Sequence, residues 1–197
     1  MKNISSLLLK IIKYPFKKYR THRISKKFCR VGKGAIICNP LRVQGGQNIH
    51  VGKKVQIAQR CWLAALPLTG EHEAQLIISD GTFIGDYNHI FATRSIVIEE
   101  KVLTANHVYI SDNLHGYEDI NTPIVEQPIK QLNNVVIGKG SWIGENVCII
   151  GASIGKNCVI GANAVVTKDI PDYSVAVGVP AKVIKRYNLE KKEWEIV

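Results

Sequence analysis

The chain has 197 residues, of which 46% are hydrophobic, enough for one domain with its own core. Its formal net charge is +10, and ten of the 26 basic residues lie within residues 1–30, a segment without Asp or Glu. The remaining 16 basic residues are balanced by all 16 acidic residues, so the body of the chain lacks a basic face for nucleic acid. An odd count of five cysteines without a C-x-x-C pair argues against a disulfide framework and indicates reduced, cytoplasmic packing residues.

Residues 1–28 form the first predicted element, a basic amphipathic helix segment. Its apolar residues have the spacing of one helical face, and they are Ile4, Leu7, Leu8, Ile11 and Ile12. Pro15 should end or bend this helix before a cluster of Lys and Arg begins. The apolar run is too short for a transmembrane span, and no small-residue cleavage site follows it. A short amphipathic helix with a basic collar fits peripheral contact with an acidic membrane. Packing on the body or on a neighbouring subunit fits the same pattern.

Residues 29–186 contain an internal repeat of six residues. Aliphatic residues, with one Thr, recur in this phase at Val51, Ile57, Leu63, Ile78, Ile84, Ile90, Ile98, Thr104, Ile110, Ile137, Ile143, Ile149, Ile154, Ile160 and Val166. Six is not a helical period, but it suits very short strands separated by tight turns. The aliphatic residue of each unit is expected to point inward and to be covered by stacking on the next unit. Cys148 and Cys158 fall inside units where a small side chain is expected.

Two segments interrupt the repeat. Residues 65–75 are predicted to form a corner loop. Residues 111–133 contain the stretch SDNLHGY and enough apolar residues to predict an ordered arm rather than a disordered excursion. Residues 187–197 are interpreted as a C-terminal tail. The arm is the place to look for chemistry, because it presents one histidine, His115, among acidic residues.

The repeat units VGKKVQ, IGDYNH, IGKGSW, IGENVC, IGKNCV and IGANAV resemble those of the hexapeptide-repeat acyltransferases, over about residues 31–186. The resemblance implies an all-β fold, a left-handed parallel β-helix in which three units make one triangular coil, here with a short N-terminal helix and a protruding loop. It also implies a homotrimer, with acetyl-CoA as co-substrate held in a groove between subunits. The hand of the coil comes from the resemblance and not from the spacing.

His115 is the predicted general base. Acyl transfer to a hydroxyl needs a group that accepts the hydroxyl proton, and histidine titrates near neutrality. Polysaccharide O-acetyltransferases of this family often carry T-D-H-x-H-G-Y where this chain has S-D-N-L-H-G-Y, so His115 matches the second histidine and Asn113 stands at the first. The alternative is an ordinary surface histidine. Asp112, Glu118 or a backbone carbonyl are candidates to orient the imidazole.

The resemblance also implies residues for the two substrates. Asn88 and Tyr117 would contact the acceptor, although Asn88 could equally fill the small-residue position of its unit. His89 and His107 are expected to face outward from the coils. The residues implied for the acetyl-CoA groove are Trp142, Gly144, Ala162, Thr167, Lys168, Lys182 and Lys185.

The function expected from these features is acetyl transfer from acetyl-CoA to a sugar hydroxyl of a bacterial surface polysaccharide, capsule or lipopolysaccharide, or its precursor. N-acetylation of an amino sugar or xenobiotic is the alternative on the same fold. A γ-carbonic-anhydrase-like metal enzyme and a non-catalytic scaffold are remote alternatives, and no metal is expected. The expected location is the cytoplasm, including the inner face of its membrane.

Overall fold

The computed structural model describes residues 19–70 and 72–197. The helix predicted over residues 4–12 and its end at Pro15 lie outside the described residues. The described part opens with helical residues 19–25, which fall within the predicted basic cluster. The Thr21 hydroxyl oxygen accepts a hydrogen bond from the Ile37 amide at 3.0 Å, and Ile24 packs against the core. This short helix therefore covers the open end of the first coil.

Very short strands account for almost all the remaining regular structure. The strands before the arm are β1 (Arg30–Val31), β2 (Ile36–Ile37), β3 (Arg42–Gln44), β4 (Ile49–Val51), β5 (Gln56–Ile57), β6 (Trp62–Ala65), β7 (Gln75–Ile78), β8 (Phe83–Ile84), β9 (His89–Ala92), β10 (Ser95–Ile98), β11 (Leu103–Thr104) and β12 (Tyr109–Ser111). The strands of the arm are β13 (Asn113–His115) and β14 (Ile129–Gln131). Those after it are β15 (Val135–Ile137), β16 (Trp142–Ile143), β17 (Cys148–Ile150), β18 (Val159–Ile160), β19 (Val165–Val166), β20 (Ser174–Val177), β21 (Lys182–Asn188) and β22 (Glu193–Ile196). Within the described residues, 3-10 turns occur at Gly46–Asn48 and Ile124–Glu126.

These strands stack into three sheets that form the sides of a prism. Sheet A has the order β1-β4-β7-β10-β15, sheet B runs β2-β5-β8-β11-β16-β18-β20-β21-β22, and sheet C runs β19-β17-β12-β9-β6-β3. Bridges at Ile154 and Ile170 continue sheet A beyond β15. The chain is thus the predicted left-handed parallel β-helix. In the part of the chain that the structure describes, coils 1 to 7 span residues 30–44, 49–65, 75–92, 95–111, 135–150, 154–166 and 170–177.

The six-residue repeat places its aliphatic residues in the core. All fifteen predicted inward residues are at most 1% exposed. They stack in register, so that Leu63 pairs with Ile90 and Ile90 with Ile110. Burial of each such aliphatic side chain contributes roughly 1.5–3 kcal/mol. Thr104 is tolerated among them because its hydroxyl oxygen accepts hydrogen bonds from the Gly85 amide and the Asn88 side chain.

Only two of the five cysteines are buried, and Cys29 is exposed, so the expectation that the cysteines are packing residues is wrong for Cys29. Cys61 and Cys158 fill buried positions, as a small side chain should. Cys148 does not, because Val147 occupies the buried position of that unit and Cys148 lies half-buried on the outer side of sheet C, paired with Tyr109. The expectation that Cys148 occupies the small-residue position of its unit is therefore wrong by one position.

The corners of the prism bring successive coils very close together. A Cβ atom on Gly85 would lie 2.2 Å from the Ala105 carbonyl oxygen, so only glycine fits there. Side-chain carboxylates accept hydrogen bonds from turn amides of the preceding coil, as Asp86 does from Gln59 at 2.6 Å. These contacts, at the corner from sheet B to sheet C, fix the rotation of one coil on the next.

Residues 187–197, interpreted from sequence as a tail, belong to an antiparallel extension of sheet B. Strand β21 pairs with β20, and β22 pairs with β21 in the register Tyr187 to Trp194. The two aromatic rings meet edge to face with centroids 5.5 Å apart. The solenoid therefore closes with a hairpin.

Candidate active site

The arm, residues 111–133, begins and ends as an antiparallel hairpin. In β13 and β14, Asn113 pairs with Gln131 and His115 pairs with Ile129. The His115 side chain is exposed, and among the described residues it makes no hydrogen bond or ring contact. Asn113 lies on the same face of its strand as His115 and donates from its side chain to the Phe91 carbonyl at 3.2 Å. The hairpin therefore presents the imidazole on its face towards coil 3, with no partner from the described part of the chain.

Asp112 anchors the root of the arm. Its carboxylate is fully buried and accepts backbone hydrogen bonds from Thr93 at 2.7 Å and from Arg94 and Ser95 at 2.8 Å. Burial by itself raises the pKa of this carboxyl, but the hydrogen bonds from the Asn113 side chain and the three backbone amides outweigh it. The net result is a pKa below the ordinary value. The carboxylate is directed into the turn at residues 93–95 and makes no hydrogen bond to His115.

Gln131, which the sequence analysis did not single out, connects the arm to two other segments. Its side-chain oxygen accepts hydrogen bonds from Thr93 at 3.0 Å and from Thr69 at 2.7 Å. Its side-chain nitrogen donates to the Asp112 carbonyl at 2.7 Å. Thr69 belongs to the corner loop at 65–75, so that loop helps to fix the arm. No sequence signal separates Gln131 from any other polar loop residue, because the partners that fix the arm, Asp112, Thr93 and Thr69, lie 19 to 62 positions away.

Glu118 is engaged by a neighbouring strand of the arm. It forms an ion pair with Lys130 and accepts a hydrogen bond from the Tyr117 amide at 3.0 Å. The hydrogen bond from Lys130 is the main reason why the pKa of Glu118 lies below its ordinary value. Neither Glu118 nor Asp112 contacts His115 within the chain, so the assignment of an orienting carboxylate stays a prediction.

The two predicted acceptor residues differ in exposure. Asn88 is 1% exposed, and its side-chain nitrogen donates to the Gly85 and Ala105 carbonyls at 2.8 and 2.9 Å. Its oxygen accepts from the Val108 amide at 2.7 Å, so in this structure it fills the turn of its unit. Tyr117 is 62% exposed and lines a crease of about 400 Å³ at the tip of the arm. Contact of either residue with an acceptor stays a prediction.

An aromatic cluster covers the outer side of sheet C near the root of the arm. His89 stacks on Trp62 with ring centroids 4.2 Å apart and lies edge to face with Phe91 at 6.0 Å. Burial in this cluster lowers the pKa of His89 and leaves its Nε2 atom without a hydrogen-bond partner among the described residues. His89 faces outward as predicted, but aromatic rings enclose it. His107, at a corner, stacks on the exposed Tyr87 at 5.0 Å.

The residues implied for acetyl-CoA lie in two places on the prism. Trp142 is half exposed on the outer side of sheet B. On the successive strands of this sheet, Trp142 pairs with Val159, Val159 with Val175 and Val175 with Lys185. The remaining members of this first set are Gly144 and Ala162, at the corner from sheet B to sheet C, and Lys182, which pairs with Val177.

Thr167 and Lys168 form the second set and are exposed at the corner from sheet C to sheet A. The width of sheet C therefore separates the two sets within one chain. Gly144 is buried, and a Cβ atom there would lie 2.7 Å from the Ala162 nitrogen, so close packing alone requires glycine at that position.

Among residues 19–70 and 72–197, no three His, Cys, Asp or Glu side chains are grouped so that they could hold a metal ion. The six histidines are dispersed along the chain, and none of them lies in such a group within those ranges.

Known proteins share both the repeat and the fold. The family described as hexapeptide repeat of succinyl-transferase matches residues 134–168. A galactoside O-acetyltransferase of Escherichia coli (strain K12) is 31% identical over 176 residues, covering 89% of this chain and 72% of the relative. WbbJ of the same strain, named as a candidate lipopolysaccharide biosynthesis O-acetyl transferase, is 40% identical over 127 residues. That match covers 61% of this chain and 65% of WbbJ, less than two thirds of its length.

Solved structures share the architecture at lower sequence identity. The crystal structure of a mutant of AntD, an N-acyltransferase from Bacillus cereus, in complex with dTDP and coenzyme A matches with a TM-score of 0.70 at 19% identity. It covers 86% of this chain and 90% of AntD, which establishes similarity of fold.

Proposed function

We propose that this chain, which belongs to the hexapeptide-repeat acyltransferase family, transfers an acetyl group from acetyl-CoA to a sugar hydroxyl. The acceptor class is a bacterial surface polysaccharide, capsule or lipopolysaccharide, or a precursor of one. The observation that carries the proposal is the placement of His115. It is an exposed imidazole without a partner in the described part of the chain, held on a hairpin whose root is fixed by buried hydrogen bonds.

His115 acts as the general base in this proposal. Its neutral imidazole accepts the proton of the acceptor hydroxyl while that oxygen attacks the thioester carbonyl, and the coenzyme A thiolate is the leaving group. Proton acceptance requires a free ring nitrogen, and both ring nitrogens of His115 are unengaged among the described residues. Glu118, paired with Lys130, is held as a carboxylate within the same arm. A base on a rigid hairpin costs little ordering at the moment of reaction.

The proposed active unit is a homotrimer with the donor groove between neighbouring copies. The two sets of residues implied for acetyl-CoA lie at different corners of one prism, so a second copy is needed to bring Trp142 and Gly144 against Thr167 and Lys168. Exposed apolar side chains support this packing. Ile120 and Val125 in the arm are 93% and 84% exposed, and a neighbouring copy would remove them from water.

The oxygen acceptor is supported by the names of the relatives. Galactoside O-acetyltransferase and the lipopolysaccharide enzyme are named for transfer to oxygen, and their matches cover 89% and 61% of this chain. The AntD structure is that of an N-acyltransferase on the same fold. An amine acceptor is therefore the second candidate, and it uses the same base and donor groove.

Calorimetric titration and an acetylation assay test the proposal together. Acetyl-CoA should bind the wild type and the His115→Ala variant with similar affinity, one site per chain. Coenzyme A release with sugar acceptors should be lost only in the variant, whereas His107→Ala, a corner histidine stacked on Tyr87, should retain it. Absence of acetyl-CoA binding to the wild type would refute the donor assignment. Turnover with amino sugars alone would replace the hydroxyl acceptor with an amine.

A further inference from the structure

Positive charge extends along the solenoid beyond residues 1–30, which corrects the expectation that the body of the chain lacks a basic face. Residues 1–70 contain fifteen Lys and Arg and no Asp or Glu, because the first acidic residue of the chain is Glu71. Residues 71–197 hold eleven basic and sixteen acidic residues, a balance of −5. The boundary coincides with structure, since coils 1 and 2 occupy residues 30–65 and the acidic residues begin after them. One end of the prism is therefore purely basic and the rest is mildly acidic.

We propose that this basic end, consisting of residues 19–60, binds an anionic lipid bilayer and sets the solenoid upright on it. The ten basic residues of this end are all exposed, and they are Arg20, Arg23, Lys26, Lys27, Arg30, Lys33, Arg42, Lys53, Lys54 and Arg60. The proposal does not depend on acetyl transfer, because vesicle binding is measured without either substrate.

The short helix at 19–25 gives this end a defined orientation. Thr21 is buried and bonded to Ile37, and Ile24 packs on the core, so this side of the helix faces the prism. Arg23 and Lys26 are exposed, away from that packed side. The basic side chains thus cover the outer surface of the cap that closes coil 1.

The lysines of the basic end are available to a partner. The described residues of this segment contain no carboxylate, and Lys26, Lys27 and Lys33 form no ion pair within the described part of the chain. Asp80, the first carboxylate of coil 3, accepts a hydrogen bond from the Lys53 backbone amide at 2.7 Å and so belongs to the turn. No carboxylate of the described residues therefore neutralises these three lysines.

A bilayer fits this end better than a nucleic acid. Each Lys or Arg near an anionic membrane surface contributes about 1 kcal/mol of attraction, which decays within about one Debye length. A broad basic end that caps a prism can place several cations within that distance of a plane. The sequence before residue 19 has the apolar spacing of a segment that inserts into a lipid interface. No helix in the described residues is long and apolar enough to cross a membrane.

Vesicle co-sedimentation with matched charge reversals tests the proposal. The full chain should bind phosphatidylcholine vesicles that contain phosphatidylglycerol and should not bind pure phosphatidylcholine. The test variant combines Lys26→Glu, Lys27→Glu and Lys33→Glu. The control combines Lys101→Glu, Lys139→Glu and Lys192→Glu, exposed residues outside the basic end. Both triples lower the formal net charge from +10 to +4, so only the position of the charge differs.

The test triple should weaken vesicle binding roughly 100-fold, and the control triple by less than about twofold. Hydrogen exchange of the wild type with vesicles should show new protection in residues 19–60 and none in 182–196. Equal losses in the two triples would overturn the proposal, as would equal binding to both vesicle types. Displacement of the protein from vesicles by duplex DNA at matched anionic charge would also overturn it, in favour of a nucleic-acid surface. The circular dichroism spectra of both triple variants should match that of the wild type. If the test variant is unfolded, the single Lys33→Glu variant replaces it, and its vesicle binding should be weaker by about fivefold.

Discussion

Replacement of Asp112 by Asn should release the root of the arm while leaving the side-chain shape intact. The Asp112 carboxylate accepts three backbone hydrogen bonds, one through Oδ1 from Thr93 and two through Oδ2 from Arg94 and Ser95. The side-chain oxygen of an asparagine can accept the hydrogen bonds made to one of the two carboxylate oxygens. The asparagine amino group would then face two N–H donors at the position of the other oxygen. Each buried donor left without an acceptor costs about 1–3 kcal/mol. The expected local destabilisation is therefore roughly 4 kcal/mol.

Hydrogen exchange resolves this effect better than global unfolding, because a solenoid can open locally without complete unfolding. The amides of residues 93–95 should exchange roughly 1000-fold faster in Asp112→Asn, since each 1.4 kcal/mol corresponds to a factor of ten. Asp119→Asn is the matched control, because the Asp119 carboxylate is exposed and accepts hydrogen bonds only from Asn121 and Thr122 of its own turn. Its exchange at residues 93–95 should equal that of the wild type.

The pH dependence of the wild type gives an independent check. The pKa of Asp112 is lowered in the folded protein, so its stabilisation is present above the unfolded pKa of about 3.9 and is lost as pH falls through the folded value. The difference in amide exchange at residues 93–95 between wild type and Asp112→Asn should therefore be largest near neutrality. It should shrink below about pH 3.9. Unchanged exchange at residues 93–95 in the variant at neutral pH would refute the assigned role of this carboxylate.

Three further results are expected. The His115→Ala variant should lose about 100- to 10,000-fold in kcat/KM, the contribution of a positioned base, with acetyl-CoA affinity unchanged by calorimetry; a loss of less than tenfold would remove His115 from the mechanism. Burial raises the pKa of Cys61 to about 12, so iodoacetamide followed by mass spectrometry should label exposed Cys29 and spare Cys61 until the protein is unfolded. Rapid native labelling of Cys61 would contradict its position. The Gly46→Ala change should cost about 1–3 kcal/mol in thermal unfolding, because the added Cβ would lie 1.8 Å from the Lys27 carbonyl oxygen.

Gly70→Ala is the control for the last of these changes, since nothing lies within 4 Å of a Cβ at Gly70. It should cost about 1–2 kcal/mol, from its positive φ alone, and less than Gly46→Ala. Equal effects of the two changes would show that the contact of Gly46 with Lys27 does not hold the N-terminal helix on the coil.

Local sequence was sufficient to predict the parts of the fold that repeat. Ile84, Ile90 and Ile110 recur at the period of the coil, and periodicity by itself tells which side of each short strand is buried. The same reasoning failed by one position at Cys148, because two adjacent residues in that unit, Val147 and Cys148, both suit a small buried position. Residues 187–197 gave no periodic signal, and their pairing with β21 became visible only in three dimensions.

The sequence by itself determined that the chain is a stack of hexapeptide coils with one ordered arm, and that His115 is the arm's only histidine. The tertiary structure decided what holds that arm. Asp112 turns into the coil corner away from His115, and Gln131 bonds to Thr69 across 62 positions. A repeat can be recognised from the spacing of nearby residues, because each unit contacts only its neighbours in the stack. The protruding hairpin is held by contacts between segments that are far apart in sequence. The spacing of residues along the chain does not predict such contacts.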